Sequence, residues 1–214
     1  MFLSLVVLLA SCNQAGKTEK QTGEQPDSTQ VSADVKNKSF DELFKAIEPD
    51  QIPESIFKLV GKDNTVITAG KPDDFNSMVA GDGGIGLLMG KPVTFCGLRG
   101  NRYTLEMILK DKIYTMAYFD EKYREQYMLF GKKSGRDSDK MKESTLTPVT
   151  TPSGKVAYKE AKLIIECQLA EIHTVNPDEV YAEKNKTFYV DAHKEVGSYH
   201  KIVFGDITNV WIRK

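Results

Sequence analysis

The residues best placed to do chemistry fall in three short stretches. Arg99-Gly100-Asn101-Arg102-Tyr103-Thr104 gathers two guanidiniums and a hydroxyl where a strand-like run passes through glycine into a helix-forming one. With Asn101 as N-cap, the free N–H groups of that first turn and the two cations would together favour a phosphate. The same residues also describe a plain helix start with exposed arginines. The second stretch is Gly131-Lys132-Lys133-Ser134-Gly135-Arg136-Asp137-Ser138-Asp139-Lys140. Its glycines and small hydroxyls let a backbone approach a ligand closely, and its mixed charges could orient polar groups. Read alone, it is also an ordinary solvated loop. The third is Tyr199-His200, leading into Lys201-Ile202-Val203-Phe204-Gly205-Asp206-Ile207. A histidine entering a strand is either structural or part of a site, and Gly205 within an apolar strand marks a bulge or the close approach of another backbone.

Bulk composition narrows the function classes. The 29 basic and 30 acidic residues give a net charge of -1, which exerts no general pull on nucleic acid or an anionic membrane. Any anion site must therefore be local. Three cysteines, Cys12, Cys96 and Cys167, are too few for a disulfide scaffold. Cys96 and Cys167 sit in strand-like apolar runs and read as inert core thiols. Three histidines, with no CxxC or HExxH pattern, leave little for a metal site, and none is assigned.

The elements that must position these residues begin after a processed leader. Leu5 to Ala10 form a short apolar run followed by Cys12, in Leu9-Ala10-Ser11-Cys12. The run is too short for a spanning helix and reads as the h-region of a signal peptide. Its last four residues resemble the bacterial lipobox, which implies acylation of Cys12 and an extracytoplasmic, membrane-anchored protein. Residues 1–12 are thus assigned to the leader and lipidated cysteine, 13–38 to a flexible polar tether, and 39–214 to one folded domain.

Within the domain, Ser39-Phe40-Asp41-Glu42 has capping-box spacing, with Phe40, Leu43, Phe44 and Ile47 on one helical face. A second short helix follows at Ile56, Phe57 and Val60. Strands are expected over 65–69, 75–80, 92–98, 113–119, 155–158, 161–172, 188–190 and 201–212, with helices over 103–109 and 122–130. A glycine-rich bend is expected through Gly81, Gly83, Gly84 and Gly86. Mostly antiparallel strands with helices inserted between them describe a small decorated barrel.

Taken in order, these motifs resemble the flavin reductase-like, FMN-binding split-barrel family. The resemblance runs from about Val66 to the C-terminus. It is carried by Asn76-Ser77-Met78, Gly90-Lys91-Pro92-Val93, Arg99-x-x-Arg102-Tyr103-Thr104, Lys133-Ser134-Gly135-Arg136-Asp137-x-Asp139-Lys140, and Tyr199-His200 ahead of Gly205-Asp206-Ile207. It implies a six-stranded antiparallel Greek-key barrel, assembled as a homodimer with FMN at each of two interface sites. By the same resemblance, Arg99, Arg102 and Thr104 would hold the FMN phosphate. Asn76 and the backbone of Ser77 and Met78 would meet the ring edge. Ser134, Gly135, Arg136 and Lys140 would close over the ring and ribityl chain, and His200 would act beside the flavin as the catalytic residue.

The chain departs from the family pattern at several places. Asp82 and Met89 stand where relatives often carry tryptophan, Gly100 replaces a proline, and Asp206 replaces a glutamate. A carboxylate near reduced flavin would oppose reduction by like-charge repulsion. Location adds a second tension, because NADH and NADPH are chiefly cytoplasmic. Two functions therefore stand side by side. One is a flavin-dependent oxidoreductase fed by NAD(P)H or another donor. The other is an FMN-bound electron carrier for a protein or quinone partner, in each case with no nucleic-acid partner and membrane contact through the lipid anchor alone.

Overall fold

The structure, a computed structural model, describes residues 35–191 and 199–214; Cys12 and the tether as far as residue 34 lie outside them. Ten strands supply the frame: β1 (Phe44–Ile47), β2 (Thr65–Lys71), β3 (Asp74–Ala80), β4 (Gly83–Leu88), β5 (Lys91–Arg99), β6 (Ile113–Tyr118), β7 (Pro148–Thr150), β8 (Val156–Tyr158), β9 (Leu163–Thr174) and β10 (His200–Arg213). The helices are α1 (Phe40–Leu43), α2 (Ile56–Lys58), α3 (Tyr103–Asp111), α4 (Arg124–Lys132) and α5 (Glu183–Tyr189).

Eight strands form one antiparallel sheet in the order β3-β2-β6-β9-β10-β5-β4, with β1 also on β10, while β7 and β8 make a separate ribbon. The protein is therefore mainly β with inserted helices. Its main sheet carries eight strands where the family resemblance implies six, because β4 covers the free edge of β5 and β1 covers β10 beyond the point where β5 stops.

Both faces of the sheet are buried, which is why its central strands are apolar almost without interruption. On one face Ile67, Ala69, Cys96, Tyr114, Met116, Ile165, Cys167 and Val203 close around Leu105 and Ile108 of α3. On the other, Val66, Ala117 and Ile164 lie under Phe40, Phe44, Tyr127, Phe130, Tyr158 and Trp211. Each of the larger aliphatic and phenylalanine side chains among them contributes about 1.5–3 kcal/mol when fully buried. Cys96 and Cys167 are both free and buried. Burial raises both thiol pKa values, that of Cys167 to about 12.

Gly205 combines both of the expected roles. The β10–β9 register shifts between Phe204 and Gly205, and a Cβ there would fall 2.3 Å from the Tyr114 hydroxyl. The bulge therefore exists where only hydrogen fits.

Four local expectations are corrected. The helical face through Ile47 stops at Leu43, and the chain turns into β1 because β10 offers an open edge, with Phe44 opposite Arg213. The glycine-rich bend is instead β4, whose Gly84 leaves room for the Phe95 ring; a Cβ would sit 2.6 Å from it. Residues 188–190 do not form a strand; Phe188 and Tyr189 end α5, since β9, β5 and β1 already occupy both edges of β10. Finally, Arg102, not Asn101, takes the N-cap position of α3, with extended φ −75° and ψ 131° and no side-chain cap bond.

One charged cluster ties α2 to the sheet. Lys162, at the start of β9, donates to Asp63 at 2.6 Å and to Glu54 at 2.7 Å, while Lys58 bonds the same two carboxylates. Burial pushes both carboxyl pKa values up, but the two lysines outweigh it and hold each below its ordinary value.

Candidate functional site

Three elements converge on one cleft. β3 delivers Asn76 and Met78, the first turn of α3 delivers Arg102 and Thr104, and the loop after α4 delivers Ser134, Gly135, Arg136 and Lys140; all of these line a cavity of about 220 Å³. Asn76 and Thr104 are buried. The Asn76 amide Nδ2 donates to Thr104 Oγ1 at 2.7 Å, which locks strand to helix. Its Oδ1 then faces Gly135, where a Cβ would lie 2.0 Å away. Glycine is therefore required for the loop to close over Asn76.

Lys140 fixes the other end of that loop. Its ammonium donates to the backbone carbonyls of Ser77 at 2.8 Å and Phe130 at 3.0 Å, joining β3 to the end of α4. Burial, and then the charge of Arg102, pushes its pKa down to about 8. Arg102 in turn is lowered by burial and by Arg99. Among the described residues no carboxylate pairs with either guanidinium. Two cations held close, with no counter-charge among the described residues and beside the N-terminal N–H groups of a nine-residue helix, concentrate positive charge here in a chain of nearly zero net charge.

Three of the expected residues stand outside the cleft. Ser77 points its hydroxyl into the core, toward Tyr158 at 2.6 Å and Thr68 at 2.8 Å, so only its backbone serves the site. Arg99 ends β5 in register with His200, close enough to Arg102 for its charge to act on that guanidinium. His200 is 5% exposed and packs against the rings of Phe188 at 5.6 Å and Tyr189 at 4.9 Å. The cleft also includes Val79 and Phe130, expected only as strand and helix residues, and Asn101, Tyr103 and Lys133, which the motifs contain without a contact to the ligand being assigned to them. Placement within those motifs was the signal for Asn101, Tyr103 and Lys133, and Val79 and Phe130 had none.

The sequence pattern described as flavin reductase like domain matches residues 60–214. The chain belongs to that family. Solved structures with the same fold include an FMN-binding protein from Thermus thermophilus with bound 1-cyclohex-2-enone, at 18% identity over 78% of each chain, with a TM-score of 0.55. An FMN-binding domain of a flavin reductases-like enzyme from Shewanella baltica OS155 is 13% identical over 79% of this chain and 76% of that one, with a TM-score of 0.55. Flavoredoxin of Desulfovibrio vulgaris (Miyazaki F) is 19% identical over 78% and 76%, with a TM-score of 0.53. Comparison with the curated proteins gives no match. At these identities the family's split-barrel fold is shared, and the site must be argued from this chain's own residues.

Proposed function

We propose that the cleft binds FMN and that the protein is a flavin-dependent oxidoreductase. The observation that carries this reading is the pair of Arg99, at the end of β5, and Arg102, at the N-cap of α3, neither with a carboxylate partner among the described residues, beside a loop that only a glycine allows to close. In this reading Arg99, Arg102 and Thr104 hold the phosphate, and Asn76 with the backbone of Ser77 and Met78 meets the ring edge. Ser134, Gly135 and Arg136 cover the flavin. FMN, when bound, supplies the exchange of hydride or electrons. The chain's own part is to orient it, exclude water and hold the Lys140 charge nearby.

Assembly and location belong to the same proposal. Leu87 and Met89, 77% and 89% exposed on the β4–β5 hairpin, support a second copy of the chain completing the site as a homodimer. Cys12 would carry the lipid anchor on the extracytoplasmic side. That location favours a second reading, an FMN-bound carrier serving a protein or quinone partner, because little NAD(P)H is found there.

The experiment is the visible spectrum of the purified protein followed by anaerobic mixing with NADH and NADPH. A flavin band bleached by either nucleotide supports the oxidoreductase. A band that neither nucleotide bleaches leaves the carrier reading, and a colourless protein that takes up no added FMN removes both.

A further inference from the structure

Arg136 does not point its charge into the cleft. Its guanidinium donates to the carbonyl of Asn101 at 3.1 Å, pairs with the carboxylate of Glu106, and lies over the Tyr103 ring at 5.2 Å. Asn101 immediately precedes the N-cap of α3, and Tyr103 and Glu106 lie in its first turns, the segment that also carries Arg102 and Thr104. Arg136 thus ties the loop after α4 to the helix across the cleft. Gly135 and Arg136 line both the 220 Å³ cleft and a neighbouring cavity of about 440 Å³, so the tied loop is the wall between them.

Glu106 is the unexpected member. An exposed carboxylate on an anion-binding helix would repel a phosphate, unless a cation holds it elsewhere. Arg136 does so, and Glu106 in turn removes Arg136 from phosphate binding. We infer that Glu106 is a positioning residue for the cofactor, acting through Arg136 as a clasp that keeps the loop shut and slows release of the bound flavin. This rests on the flavin reading above but adds a residue and a kinetic role to it. A single exposed ion pair is worth little. Here the same guanidinium makes three contacts, one with an aromatic face, so a measurable effect is expected.

Two measurements separate the clasp from the flavin reading. In the flavin-free protein, hydrogen exchange of the Ser134–Ser138 amides should quicken several-fold in Glu106→Gln and Arg136→Gln. The reciprocal pair Glu106→Arg with Arg136→Glu should return it toward the parent rate. In the flavin-loaded protein, the release rates of FMN and riboflavin should both rise by about three- to tenfold in Glu106→Gln, since the clasp acts on the loop and not on the phosphate. A parent protein that binds no flavin would remove the reading of the cleft, while the exchange data would still judge the clasp. Unchanged exchange in both single variants overturns the clasp itself. Slower FMN release in Glu106→Gln overturns the positioning role, because Glu106 would then act only by repelling the phosphate.

Discussion

At the scale of single residues, the site rests on charges that the fold holds in unusual places. Arg102 sits at the N-cap of α3 with no carboxylate partner among the described residues. Hydrogen bonds to charged groups are worth about 1.5–3 kcal/mol. Arg102→Gln should therefore weaken FMN binding by roughly ten- to a hundredfold and leave riboflavin nearly unaffected, as measured by quenching of flavin fluorescence. Equal losses for both would show that Arg102 does not read the phosphate. Lys140 gives a pH signature. Its folded pKa lies near 8, below the ordinary 10.5, so in the flavin-free protein it loses its proton above about pH 8. A bound phosphate nearby would favour the ammonium, so binding takes up a proton and affinity falls as pH rises through about 8. Titration of FMN between neutral and alkaline pH should show that fall in the parent protein and not in Lys140→Met.

At the scale of elements, what places α2 and the π-helical turn after it is the Lys162 cluster. Lys162 is 12% exposed and bridges Asp63 and Glu54, so its removal leaves two carboxylates short of a cation in a partly buried place. Lys162→Ala should cost about 2 kcal/mol in urea unfolding, and the loss should shrink in acid. The sign follows from depressed carboxyl pKa values: their contribution is present above the ordinary values of 3.8 and 4.5 and is lost as pH falls through the folded values. A stability difference independent of pH would assign the loss to packing instead. The α5 segment shows the opposite case, an element placed by exclusion. Phe188 and Tyr189 are good strand formers, yet β10 has no edge left for them. They finish a helix whose rings cover His200.

At the scale of the whole molecule, the exposed β4–β5 hairpin and the polar N-terminal segment frame two further tests. Residues 39–214 should scatter light as a dimer, and Leu87→Lys with Met89→Lys should shift the population toward monomer and weaken FMN binding together. A monomer that holds FMN stoichiometrically would overturn the shared site. Cys12→Ser in the full chain should move the protein from the membrane fraction to the soluble one. Sedimentation with membranes after a high-salt wash would remove the lipid anchor.

The family, the strand-rich class and most of the cleft were legible in the sequence, because they depend on local signals. Alternating apolar runs mark strands whichever partner they find. The motifs around Asn76, Arg102 and Ser134–Lys140 were marked by their residue types, and the fold brings them to one cavity. Gly205 was legible as a position where something comes close, though not as the place where Tyr114 does so. The tertiary structure alone decided what depends on partners distant in the chain. It turned Phe44–Ile47 into a strand, since β10 has an open edge there, and denied one to residues 188–190. It also turned the hydroxyl of Ser77 into the core and joined Arg136 to Glu106 across thirty positions. Such pairings carry no mark in either segment, because hydrogen-bonding edges and counter-charges are supplied by whichever chain the fold brings alongside.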